Sequence, residues 1–244
     1  MSLSINVGVL AQEPFDFLGF AGLSIKDIEI LISKSPNSSS CKSMQKLMDS
    51  REESHLEYQQ YLEKTLKKIS NFLIDLGWKE WEEPKNIKIQ RRSVMNSFPY
   101  RDWYHLRRRY AYIKDGQGNI KFQEEDEQDI DNVVERWTIP SLHLMYHSDY
   151  NGYYIPIDFP EVLEIPDIDD SCVGSSIRLL EELKEIAPYL DIQMNGDDIS
   201  DREFSRVYEE SMDESPSGIE KMVWLTIHEM AKLSKRYKTA IVFG

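Results

Sequence analysis

The chain has 244 residues, 41% of them hydrophobic and 30% charged, with a formal net charge of -14 and two cysteines. That length suffices for one large core or two small ones, and a single domain over 1–244 is expected. Cys41 in a serine-rich loop and Cys172 beside an acidic turn exclude a disulfide framework, and the N-terminus, with a short alternating apolar run and no basic flank, predicts neither a signal peptide nor a membrane span and so a cytoplasmic protein.

In chain order, residues 4–10 alternate around a glycine and read as a strand. Ser24, with Asp27 three residues on, caps a short helix, and the polar run 33–43 reads as a flexible connection. A long amphipathic helix follows from about Ser50 to Leu76, with Leu62, Leu66, Ile69, Leu73 and Leu76 at spacings of four and three and Gly77 as its C-cap. "NIKIQRR" reads as a strand, and Pro99 opens a basic helix on which Trp103, Leu106 and Tyr110 share one face. Leu142, Leu144 and Tyr146 alternate with polar residues ahead of Asn151-Gly152, which predicts a β-hairpin, with Pro156 at a sheet edge or bulge. Ser175 caps a further helix. Residues 193–217, acidic and short of large aliphatics, read as a mobile excursion carrying one short helix. Ser217 and Glu220 have capping-box spacing ahead of the helix that holds His228, and "TAIVFG" closes the chain as a buried strand.

Charge is divided unevenly along this order. Residues 84–114 hold nine Lys and Arg against one acid, whereas 115–216 hold six against twenty-seven. The basic segment, with its run Arg107, Arg108 and Arg109 among aromatic rings, could grip phosphates and stack on bases. A field of -14 opposes that use, so the rings are expected in the core and the arginines on the protein's own carboxylates.

Catalytic signals are weak. His143, His147 and Asp149 have ligand chemistry, but on a strand residues four apart stand about 13 Å from one another, too far for one ion with bonds near about 2 Å, so no metal site is assigned. There is no nucleophile elbow and no phosphate loop, and no cofactor is implied. An enzyme of hydrolase type would have its site near His143, His147, Asp149 and Asp158.

"MSLSINVGVLA", "SFPYRDWYHLRR", "HSDYNGYYIPIDF", "GSSIRLLEEL" and "TAIVFG" together resemble a family of uncharacterised bacterial proteins. The resemblance carries no activity and no functional residues. Acidic intracellular proteins without a catalytic signature include many immunity proteins, which neutralise toxins of competing bacteria. The expectation is therefore an α+β domain, a mostly antiparallel sheet bordered by helices, that binds a basic protein. Its contact surface is expected at Tyr150, Tyr153 and Tyr154, with Asp197, Asp198, Asp201, Glu209 and Glu210 as a second patch. Nucleic-acid binding through Arg107–Arg109 stands as a further alternative, and the sequence leaves the oligomeric state open.

Overall fold

The computed structural model describes residues 2–8, 10, 33, 39–85, 87–122, 132–148, 151–168, 172–213 and 215–243. Within them lies one six-stranded sheet with helices on both faces, an α+β fold. The strands are β1 (Ser2–Val7), β2 (Ser97–Pro99), β3 (Gly152–Ile155), β4 (Leu163–Glu164), β5 (Cys172–Ser175) and β6 (Ile241–Phe243), in the spatial order β2-β1-β6-β3-β5-β4. Only the β3–β5 pairing is parallel; the other four are antiparallel. The strand read at 4–10 is present as β1, and "TAIVFG" supplies β6 at the centre of the sheet, where Phe243 pairs with both Ile5 and Gly152.

Seven α-helices are described: α1 (Ser39–Asp75), α2 (Tyr100–Lys114), α3 (Asn132–Trp137), α4 (His143–Tyr146), α5 (Ser176–Ile186), α6 (Asp201–Glu210) and α7 (Pro216–Tyr237). Alternation along the strands gives each face its own core. Tyr154, Ile241 and Phe243 point to the layer of α2, α5 and α7 and meet Trp103, Leu106, Leu180 and Trp224. Tyr153, Ile155, Val173 and Val242 point the other way, onto Leu62, Leu66, Ile69 and Leu73 of α1, four of the five residues in the stripe that the sequence spacing picked out; the fifth, Leu76, follows the end of α1 and is exposed.

Local capping fixes several boundaries. Gly77 closes α1 with φ +85, a conformation that costs any side chain but glycine's. Ser175 caps α5 by accepting from the Arg178 N–H at 3.2 Å, and Pro99 stands at the cap of α2, with Tyr100 as its first residue. The last long helix starts slightly earlier than the Ser217–Glu220 spacing implies, because Ser215 accepts from Gly218 N–H and Pro216 takes the first position.

Three expectations are corrected. The polar run 33–43 is helical from Ser39 onward. Of "NIKIQRR", the described residues 87–92 form no strand: the N–H groups of Gln90 and Arg92 donate to the Tyr237 hydroxyl and the Glu229 carboxylate instead of to a neighbouring strand. The first arm of the proposed hairpin is the single-turn helix α4, because the Glu182 carboxylate accepts from the N–H groups of both His143 and Leu144 at 2.6 Å and so caps a helical turn. Asn151-Gly152 then leads into β3, where Gly152 has φ +125. The helix predicted after Ser24 lies outside the described residues.

Gly174 in β5 has a packing role. A Cβ placed there would stand 2.5 Å from the Tyr154 ring, which stacks on His147 at 4.1 Å. Both partners are buried and cannot withdraw. Gly174→Ala should therefore lower stability by about 1–3 kcal/mol, read from the urea midpoint, the cost of overpacking a closed site. An unchanged midpoint would show that the stack has room.

Candidate functional site

The histidines of the 142–158 region serve the interior. His143 Nδ1 accepts from Ser175 N–H at 2.9 Å, and the ring packs against Phe159. His147 faces the Ser148 and Tyr153 carbonyl oxygens at 3.1 Å. Burial lowers both pKa values to about 4. Asp149 lies outside the described residues, and Asp158 is exposed and paired with Arg178 at 2.5 Å. Among the described residues no three His, Cys, Asp or Glu side chains come together to hold a metal.

The basic segment enters the fold almost entirely. Arg107, Arg108 and Arg109 are each 7% exposed. Arg107 donates to the carbonyl oxygens of Leu144 and His147 and lies over the Trp103 ring, with burial lowering its pKa to about 10. Arg108 and Arg109 lie over Phe122 at 4.2 and 4.5 Å. Arg109 meets both carboxylate oxygens of Glu220 and the carbonyl oxygens of Gly118 and Ile120. A guanidinium with this many internal acceptors offers nothing to a phosphate, which removes Arg107–Arg109 as a nucleic-acid surface.

The tyrosines of the expected contact surface are also internal. Tyr153 and Tyr154 are 1% and 0% exposed, on opposite faces of the sheet, and the Tyr154 hydroxyl donates to the His143 carbonyl oxygen. They cannot meet a partner, and Tyr150 lies outside the described residues.

The second expected patch is on the surface but largely matched by cations. Asp197 is bound by Lys184 and Lys235, which hold its carboxyl below the usual range. Asp198 meets Arg92 and Lys232; burial raises its pKa, and these cations outweigh the rise. Glu210 pairs with Arg206 and Lys221. Asp201 reaches Arg92 yet leaves its side chain 95% exposed, and Glu209 is exposed with no ion pair among the described residues. This patch thus binds α5, α6 and α7 to the segment around Arg92, and of its five acids Asp201 and Glu209 stand most open to solvent.

A different array emerges between β3 and β5. Asp158, Glu161, Glu164 and Asp167 are exposed, one every third residue, while Phe159, Val162 and Ile165 between them are buried. The backbone beneath is fixed: Val162 N–H donates to the Pro140 carbonyl oxygen, Leu163 and Glu164 pair with β5, and Lys68 of α1 donates to the Asp167 carbonyl oxygen at 2.6 Å. Among the described residues Glu161, Glu164 and Asp167 have no carboxylate ion pair, so their charges face water in a row. The sequence pattern D-x-x-E-x-x-E-x-x-D carried this signal, in a period that matches neither helix nor strand.

A family model described as "Putative DNA-mimic protein" matches residues 43–243. No curated protein and no solved structure matches the chain. The family match overturns the toxin-neutralising and hydrolase readings and lends no support to the nucleic-acid-binding alternative.

Proposed function

The chain belongs to the family of putative DNA-mimic proteins, and from that premise we propose that it binds a DNA-binding protein in place of DNA, through the row Asp158, Glu161, Glu164 and Asp167. The observation that carries this reading is the row itself: carboxylates at a fixed interval on a backbone anchored by buried Phe159, Val162 and Ile165. The segment runs through β4 and ends in a turn where Asp167 has φ +65, so the four charges sit on a folded backbone. A preformed row loses little entropy on binding, which favours it over a flexible acidic tail.

The partner then carries a basic surface, and the open carboxylates of Asp201 and Glu209 add to the negative field that speeds encounter. Among the described residues no helix is long and apolar enough to cross a membrane. The cytoplasmic location and the single domain over 1–244 belong to the same proposal; one cooperative unfolding transition by two probes would support the latter.

The test immobilises the protein and applies nuclease-treated cell protein that had been retained on DNA-cellulose. Capture of a protein that duplex DNA displaces is expected. Glu161→Gln, Glu164→Gln and Asp167→Asn together should then lower the salt dependence of log K by roughly two to three units, because each carboxylate replaces about one phosphate contact. Capture that DNA does not displace, or a triple variant that binds like the parent, would refute the proposal.

A further inference from the structure

Three places in the chain join Asn or Asp to Gly: Asp115-Gly116, Asn151-Gly152 and Asn195-Gly196. Such pairs are chemically labile where the glycine N–H can attack the preceding side-chain carbonyl carbon, since glycine puts no Cβ in the way. The fold treats the three differently. The Asp115 carboxylate is held by Arg136 at 2.6 Å, and Gly116 N–H is bonded to the Ile113 carbonyl oxygen. The Asn151 side chain accepts from the Ser148 hydroxyl, and Gly152 is buried in β3, its Cβ position 2.6 Å from the Cys172 carbonyl oxygen.

Asn195-Gly196 has no such protection. Both residues are exposed, and neither the Asn195 side-chain amide nor the Gly196 N–H has a partner among the described residues. They occupy a turn closed by Asn195 N–H to the Asp198 carbonyl oxygen at 2.7 Å and the reciprocal bond at 3.2 Å. Gly196 has φ +62 with nothing within 4 Å of its Cβ position, so the turn can rearrange there.

We propose that Asn195 is a site of spontaneous deamidation that adds a carboxylate to the acidic surface. The Gly196 nitrogen bonds to the Asn195 side-chain carbon and ammonia leaves, giving a succinimide; water then opens either carbonyl, yielding aspartate or isoaspartate. Each event converts a neutral amide to an anion next to Asp197 and Asp198. The isoaspartate product also inserts a methylene into the backbone, so the two Asn195–Asp198 bonds cannot both persist and Asp198 loosens from Arg92 and Lys232. The inference rests on this turn alone and is independent of the partner proposed above.

The experiment incubates the folded protein at mildly alkaline pH and follows each peptide by mass spectrometry, with enzymatic methylation to detect isoaspartate. Conversion at Asn195, with Asn151 remaining an amide, is expected, and Asn195→Gln should abolish the main acidic variant on ion exchange. In urea both asparagines should convert at similar rates, which assigns the selectivity to the fold. The proposal is overturned if folded Asn195 stays intact while its unfolded form reacts, or if Asn151 keeps pace with it in the native state.

Discussion

Replacing Glu220 with alanine should cost about 3–5 kcal/mol of stability, the penalty for leaving a buried charge without its counter-ion. The Glu220 side chain is fully buried at the start of α7, and both its oxygens accept from Arg109 of α2 at 3.0–3.2 Å. Burial drives the Glu220 pKa upward against the opposing pull of Arg109. Once the carboxylate is gone, Arg109 keeps, among the described residues, the Gly118 and Ile120 carbonyl oxygens and the Phe122 ring. Arg109→Met with Glu220→Leu, which removes both charges, should lose much less than the sum of the single changes. Urea denaturation measures both; a loss below about 1 kcal/mol in Glu220→Ala would mean that water reaches the site and the ion pair is a surface one.

Glu83→Gln should raise stability by several kcal/mol at alkaline pH and leave it nearly unchanged in mild acid. Glu83 is buried; one carboxylate oxygen accepts from Ala240 N–H at 2.7 Å and the other has no hydrogen-bond partner. Burial raises its pKa from 4.5 to about 8. The folded protein thus holds this proton more tightly than the unfolded chain does, and stability falls as pH rises from about 4.5 to about 8. A shift of this size corresponds to roughly 4–5 kcal/mol at 1.36 kcal/mol per unit, an upper figure because the folded state can admit water. Glutamine keeps the acceptor for Ala240 and does not titrate, so its pH profile should lie flatter across this range. Histidines act in the opposite direction: His143, His147 and His228, lowered by burial to about 4, withdraw stability as pH falls from 6.5 toward 4. A Glu83→Gln profile parallel to that of the parent would show that Glu83 does not titrate in this window.

Elements governed by neighbours in sequence were legible before the fold was known. The stripe Leu62, Leu66, Ile69 and Leu73, the cap at Ser175, the Gly77 stop and the closing strand all depend on local spacing or backbone conformation, and all are present. The side chains of Trp103, Leu106 and Tyr110 are buried as their spacing implies, and Arg109 meets a carboxylate of its own chain.

What failed depended on distant residues. The alternation at 142–147 fits a strand, yet Glu182 reaches in from α5 to cap a helical turn there, a contact spanning 39 residues. Tyr153 and Tyr154 look like exposed anchors in sequence because a polar-looking loop precedes them; each face of β3 is in fact covered by a separate layer of helix. The acidic patch at Asp197 and Asp198 was visible as composition, but the four cations that match it come from residues 92, 184, 232 and 235. Conversely, the row from Asp158 to Asp167 was present in the letters, and only the burial of the residues between its members gave it a direction.

The strand order has a consequence for synthesis. β1 and β2 form one half of the sheet and β3, β5 and β4 the other, and the halves meet only through β6. Because β6 follows every other described strand in the chain, a ribosome has produced both halves long before the strip that joins them leaves the tunnel. Until then Ile5 and Tyr154 line unpaired edges, and the nascent chain depends on chaperones or on rapid completion to avoid pairing with the wrong neighbour.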